Sequence, residues 1–428
     1  MKPNRHATVP RLIAIALALS TSQALSEPAA PPPGASLESL LELARSRNPE
    51  LAAARYEADA AAERIYPAGA LPDPTLRTEL ENITNGGSDA NPNILPGRVG
   101  STKYTLIQPV PFWGKRDLRR EVAEAEANQA SGRASAEWLD LAARIKTAYA
   151  QYYSTARVEA LTQELLGLAG SLEKITQVRY ANGLVPQQDV IRAQIEQTGI
   201  RSELVTVETE HHHAMTRLNA LLKRPAMALL AEPLQPRPMP TPDRLDDNAL
   251  EQRLRAQNPQ LFVDQARIVT AEKNRELTYK NRYPDFNLGV WPIQSGNRVS
   301  EWGVMIELNI PLQQESRRAK EREAQATLAA AESRKEATQN QLLADLSEKL
   351  AALDSARRIE ILAHTSLLPQ AELTFKAALA GYETGKVDFA TLLDAQRQIR
   401  KARLDELKAQ TDAQISLAEI ERLLGEDL

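Results

Sequence analysis

Few residues in this chain are arranged for chemistry. His211-His212-His213 is the densest run of metal-binding side chains. Successive helical residues point about 100° apart, so three in a row cannot ligate one ion, and the run reads as a solvated helix segment. His6 and His364 stand alone. With no cysteine, the chain has no thiol nucleophile, no disulfide and no thiol for lipid attachment. Gly114-Lys115-Arg116 lacks the upstream glycine and the following Ser/Thr of a phosphate-binding loop. No histidine–carboxylate constellation recurs. The sequence therefore reads as a non-enzyme, without a cofactor or a protein metal site. Four carboxylates do share a pattern: Glu79 and Glu81, and Glu301 and Glu307, alternate with apolar residues in two short runs.

The elements that hold these residues are duplicated. Asn48-Pro49-Glu50-Leu51 returns as Asn258-Pro259-Gln260-Leu261, Leu71-Pro72-Asp73 as Tyr283-Pro284-Asp285, and Pro111-Phe112 as Pro311-Leu312. Tyr180-x-x-Gly183-x-Val185 returns as Tyr382-x-x-Gly385-x-Val387. Leu218-x-x-Leu221-Leu222 returns as Ile420-x-x-Leu423-Leu424. Matched landmarks in one order indicate one structural unit used twice.

Helical spacing of Leu40, Leu43, Leu51 and Ala54 predicts a helix over Leu37–Tyr66. Strict alternation then predicts a hairpin over 75–110, with residues 85–100 as its loop. From Gly114 to Tyr180 apolar residues step by three and four, the seam of a long coiled-coil helix, and a half-length helix returns over 187–222. Repeat 1 thus spans 37–222, and the proline-rich stretch 223–247 is a linker. Repeat 2, 248–424, predicts a helix to Asn281, a hairpin over 286–311 with a loop at Ile293–Ser300, a long helix 315–381 kinked by Pro369, and a return helix 388–424.

At 43% hydrophobic, 25% charged and 4% aromatic residues, the composition is that of long helices packed through small side chains. A formal net charge of −4 gives no field toward nucleic acid. Lys2, Arg5 and Arg11 flank the apolar run Leu12–Leu19, with Ser22-Gln23-Ala24 behind it, so residues 1–24 read as a secretory signal peptide and 25–36 as a flexible leader.

Trp302, Val304, Ile306, Leu308 and Ile310 alternate with Glu301, Gly303, Met305, Glu307 and Asn309. Strands of this length cross a bilayer at barrel tilt, and an exported chain without a spanning helix can cross only as a closed barrel. Four strands cannot close one; three chains would supply twelve. Glu79, Glu81, Glu301 and Glu307 would then line the lumen.

Two repeats of helix, hairpin, long helix and half-length helix, with Tyr-x-x-Gly turns, resemble the TolC-type outer-membrane factors of tripartite efflux pumps. Gln108-Pro109-Val110-Pro111-Phe112-Trp113-Gly114-Lys115-Arg116 is similar to the strand-to-helix junction of the heavy-metal branch, the cobalt–zinc–cadmium and copper efflux factors. The resemblance implies a mainly α fold with a small β part. It implies a homotrimer in which a 12-stranded β-barrel in outer-membrane lipid continues as a periplasmic α-helical barrel. It further implies a periplasmic adaptor, an inner-membrane resistance–nodulation–division transporter, and divalent heavy-metal cations as cargo, with organic compounds the alternative. The lipid-anchored members carry an N-terminal cysteine absent here. Adaptor-docking tips would fall on Arg179, Tyr180, Gly183, Val185, Tyr382, Gly385 and Val387. The family's acidic constriction, Asp-x-x-Asp-Ala, falls on Thr391 and Asp394, with one acid missing; Asp189 and Arg192 match them in the first repeat. A reading of another class is a soluble periplasmic coiled-coil scaffold, which fractionation would distinguish.

Overall fold

The structure is a computed structural model describing residues 33–84, 92, 94–233 and 235–428. The expected signal peptide and most of the leader lie outside the described residues, as does part of the first hairpin loop. In chain order the elements are α1 (Leu37–Arg47), α2 (Pro49–Glu63), α3 (Ile65–Gly69), β1 (Thr75–Glu81), β2 (Ser101–Val110), α4 (Lys115–Ala181) and α5 (Gln187–Leu221). There follow α6 (Asp247–Gln257), α7 (Pro259–Lys280), β3 (Phe286–Ser295), β4 (Arg298–Leu308), α8 (Gln314–Leu362), α9 (Leu368–Glu383) and α10 (Phe389–Leu424). The fold is mainly helical with one small antiparallel sheet.

The helices expected over Leu37–Tyr66 and 248–281 are each broken at an Asn-Pro step. Asn48 Oδ1 accepts from the N–H groups of Glu50 and Leu51, and Pro49 starts α2 at a position that needs no donor. Asn258 and Pro259 do the same for α7. Each asparagine also reaches the end of its repeat: Asn48 Nδ2 donates to Leu221 O at 3.2 Å, and Asn258 Nδ2 to Leu423 O at 2.8 Å. Around each joint lies a leucine-rich core. Leu37, Leu40, Leu141, Ile145, Tyr152 and Leu218 form one, and Leu250, Leu254, Leu346, Leu353, Ile420 and Leu424 the other. Full burial of one such leucine contributes about 1.5–3 kcal/mol.

The sheet runs β1-β2-β3-β4, every pair antiparallel, leaving β1 and β4 as open edges. The second hairpin loop is far shorter than the expected Ile293–Ser300. Both strands continue to a two-residue turn at Gly296 and Asn297, where Gly296 takes φ of 60°. Pro292 does not end its strand. The β3–β4 ladder runs through Pro292 opposite Trp302, while β2–β3 pairing skips Trp291 and Pro292, where the proline has no N–H to give.

Pro369 interrupts the long second-repeat helix as a π turn, Ala363–Leu367, between α8 and α9. The wider turn removes the clash of the proline ring with the preceding turn. In repeat 1, α4 is uninterrupted.

The leader and linker are less free than the sequence suggests. Ala231 N–H donates to Pro33 O at 3.1 Å, and Gly34, at φ of 125°, lies against the same residue. Leu230 joins the first core, and Gln414 Nε2 donates to Arg237 O at 2.6 Å.

Candidate functional site

The two helical turns have the same backbone. Gly183 and Gly385 take φ of 69° and 75°, a left-handed conformation that glycine adopts without strain. Leu184 N–H bonds Arg179 O at 2.8 Å, and Lys386 N–H bonds Gly381 O at 2.8 Å. Their side chains differ. Tyr382 is buried, tilted against Phe389 at 5.4 Å, and its hydroxyl has no partner among the described residues. Tyr180, its counterpart, is exposed. The Arg179 guanidinium lies 5.0 Å over the Tyr382 ring and donates to Glu383 O at 2.7 Å, stitching the first turn to the second. Val185 packs against the core that holds Leu172, Tyr382 and Phe389. Val387 crowds Gly381, where an added Cβ would meet its Cγ2 at 2.5 Å.

Of the four expected constriction residues, Asp189, Arg192 and Thr391 gather around Asp388, while Asp394 pairs elsewhere. Asp189 is buried, and burial pushes its carboxyl above the ordinary range; Arg192 opposes the shift and Asp388 adds to it. Asp394 is exposed and pairs with Arg397 at 3.6 Å on its own helix. Thr391 gives its N–H and hydroxyl to Asp388 Oδ1, at 2.9 and 2.6 Å. Asp388 is thus the N-cap of α10, a role the repeat comparison missed because Pro186 occupies the matching place. The sequence signal was Asp before a helical run.

A second feature missed from sequence is a ladder joining the two hairpins. Arg397 and Arg400 of α10 reach Glu196 and Glu203 of α5, each at 2.6 Å, and Arg403 reaches Glu164 of α4 at 3.1 Å. The three arginines recur every third residue, a stripe visible in the sequence. A third lies higher up. Buried Glu421 accepts from Lys146 Nζ at 2.7 Å, from Arg237 Nη1 at 2.6 Å and from Leu428 N–H at 2.9 Å; Lys146 also pairs with Asp427.

His211 is not solvated as expected. Its Nδ1 lies 2.7 Å from Glu159 Oε2 and its ring 5.1 Å from Tyr152, because α5 packs against α4 here. Among the described residues no group of three or more His, Asp and Glu could hold a metal ion.

Glu79, Glu81, Glu301 and Glu307 do share one sheet face. The row Glu79, Lys103, Ile293, Glu301 crosses all strands in register, and Glu307 stands opposite Asn287. That face is not purely acidic: Lys103 pairs with Glu79 at 3.5 Å and lies 4.7 Å over the Trp291 ring. An added Cβ at Gly303 would overlap that ring. On the opposite face Trp302, Val304 and Ile306 are exposed at 72%, 77% and 69%, beside exposed Leu76, Leu106, Leu288 and Val290. No helix among the described residues is long and apolar enough to cross a membrane.

The outer membrane efflux protein family matches residues 40–223 and again 250–426, two segments separated by the proline-rich linker. The chain belongs to the outer membrane efflux protein family. Within that family it is similar to the cobalt-zinc-cadmium resistance protein CzcC of Cupriavidus metallidurans (strain ATCC 43123 / DSM 2839 / NBRC 102507 / CH34), 28% identical over 410 residues, covering 91% of this chain and 90% of the relative. Its fold is that of solved outer-membrane channels. OprN aligns at a TM-score of 0.77 with 18% identity over 91% of this chain and 89% of that one. VceC from Vibrio cholerae aligns at 0.77 with 18% identity, over 91% and 96%. CusC, whose crystal structures describe transmembrane channel formation, aligns at 0.77 with 17% identity over 91% and 92%. For an outer membrane efflux protein, the exposed apolar strand face and its charged reverse are the two surfaces a barrel wall requires.

Proposed function

We propose that this protein is the non-enzymatic exit duct of a tripartite efflux system, a homotrimer whose strands complete a 12-stranded barrel in the outer membrane and whose helices continue it through the periplasm. The observation that carries the reading is the four-stranded sheet with an exposed apolar face and two unpaired edges. Open edges and exposed apolar area are both costly in water, and closure with other copies in lipid removes both. A soluble scaffold would leave them exposed. Phe112, Trp113, Tyr283 and Phe286 cluster where sheet meets helices, the position of an interfacial aromatic belt.

Energy would come from an inner-membrane resistance–nodulation–division transporter, reached through an adaptor docked on the turns at Arg179–Val185 and Gly381–Val387. The cargo reading, divalent heavy-metal cations, is supported by the likeness to a cobalt-zinc-cadmium resistance protein and by carboxylates on the inner strand face. Deletion should lower tolerance to zinc, cobalt or cadmium. Unchanged metal tolerance with raised sensitivity to dyes or antibiotics would assign the duct to organic cargo. A soluble monomer on fractionation would sink the duct itself.

A further inference from the structure

We propose that Leu71-Pro72-Asp73 of one protomer clamps the strand-to-helix junction Pro311–Arg317 of a neighbouring copy, repeating between subunits a contact that the chain makes once within itself. The proposal rests on the trimeric reading above and names the residues that would lock it.

The internal contact is complete. Asp285 Oδ1 accepts from Phe112 N–H and from Lys115 Nζ, each at 2.8 Å. Lys115 Nζ also donates to Tyr283 O at 2.8 Å, and its side chain is only 3% exposed. The Phe112 ring stacks on Tyr283, 4.6 Å apart and 9° from parallel. The start of β3 is thereby tied to the end of β2 and the first turn of α4. A buried cation with two partners, both from one short segment, makes this a built joint.

The duplicated set is present but unmade. Leu71-Pro72-Asp73 precedes β1 as Tyr283-Pro284-Asp285 precedes β3, and Pro311-Leu312 follows β4 as Pro111-Phe112 follows β2. At the 200-residue interval of Pro111-Phe112 and Pro311-Leu312, Lys115 falls on Glu315, and the nearest base is Arg317, two residues on in the first turn of α8. Yet among the described residues Asp73 is exposed and has no ion pair or hydrogen bond. Leu312 is 79% exposed, Leu71 is 46% exposed, and the Leu312 N–H donates to nothing. The Arg317 side chain bonds only Pro311 O among the described residues, and its Nε is buried without a partner. An orphaned guanidinium nitrogen is costly and calls for an acceptor.

The residue types change together. An aromatic pair, Phe112 and Tyr283, is replaced by an aliphatic pair, Leu312 and Leu71, while the acid is kept and a base stands two residues further along the helix. One chain cannot make the second joint, because β1 and β4 lie at opposite edges of the sheet, about 14 Å apart at the usual strand spacing. A second copy whose β1 adds to the open edge of β4 brings the two halves together. Gln108 Nε2, donating to Pro72 O at 2.8 Å, already holds the segment in place.

The cysteine-free chain allows a direct test in outer membranes. In the full-length Leu71→Cys/Leu312→Cys double variant, a short bismaleimide should give covalent dimers and trimers on a denaturing gel, and neither single variant should. Asp73→Arg and Arg317→Asp should each abolish the heat-resistant trimer, and the double reversal should restore it. A wild-type trimer whose double-cysteine variant cross-links only within monomers, or not at all, overturns the clamp and leaves the duct standing. A wild type that is not a trimer overturns both. Loss of the trimer in both charge variants without rescue in the pair would assign Arg317 to another acceptor, such as a lipid phosphate, and also overturns the clamp.

Discussion

Asn48 and Asn258 perform one task in two places: each caps the helix that follows it and hydrogen-bonds a carbonyl at the end of its repeat's return helix, Leu221 or Leu423. The Asn-Pro landmark is therefore a joint that closes each repeat on itself. Asn258→Ala removes the cap and strands a buried carbonyl, and should cost about 1–3 kcal/mol. Denaturant unfolding of the detergent-solubilised protein would show it; a midpoint equal to wild type would mean the joint is not a stability element.

Glu421→Ala should be more severe. It leaves Lys146 without its buried partner and frees Arg237 and the C-terminal Leu428. Breaking a buried pair from one side costs about 3–5 kcal/mol. Thermal unfolding and protease sensitivity of residues 425–428 are the readouts, and a loss well under that range would show that water replaces the carboxylate.

The tip should respond to pH through Asp189. Its folded carboxyl holds a proton more tightly than the unfolded chain, whose value is the ordinary 3.8, because burial outweighs Arg192. Ionisation therefore weakens the tip: the penalty is full above the folded value and is relieved as pH falls through it. Hydrogen exchange at the two glycine turns, corrected for the intrinsic pH dependence of amide exchange, should slow as pH falls through the raised carboxyl's range above 3.8, and Asp189→Asn should remove that dependence. A pH-independent wild type would contradict the assignment.

Gly303→Ala should disturb the charged strand face, since the added methyl overlaps the Trp291 ring and displaces Lys103 from it. A shift in tryptophan emission, absent from a Trp291→Phe background, and a lower yield of assembled protein are the expected results. An unaltered spectrum would show that β4 moves aside instead.

Under the duct reading, Asp394, exposed and paired only with Arg397, would meet cargo beyond the second turn. Asp394→Asn should reduce cation preference in planar bilayers, and an unchanged channel would remove it from the constriction.

The architecture was legible because two periodicities alternate along the chain. Period-two runs marked the strands, steps of three and four marked the helices, and duplication gave each assignment a second reading. Leu40, Leu43, Leu51 and Ala54 keep helical phase across Asn48-Pro49, so periodicity concealed a break whose only signal was a capping residue followed by proline. Pro292 reads as a strand end only when a strand is assumed to need both neighbours along its whole length. The cluster around buried Glu421 could not be read at all. Lys146, Arg237, Glu421 and Asp427 are distant in sequence, and each resembles an ordinary solvated charge until α4, the linker and α10 meet. At the tip, repeat matching placed Thr391 with Asp189, but it could not foresee that Asp388 would claim the threonine as its capping donor.

The π turn at Ala363–Leu367 gives the two long helices different tolerance to mutation. One residue gained within a regular α-helix rotates everything beyond it by about 100°, which would turn a tunnel wall inside out below the insertion. A π turn stores one surplus residue without passing on the rotation. Below it, Tyr382, Gly385 and Asp394 keep their bearing toward the first hairpin. The second hairpin can thus absorb a single-codon change in length near Pro369, whereas the same change in α4 would misalign Arg179 and every rung of the ladder.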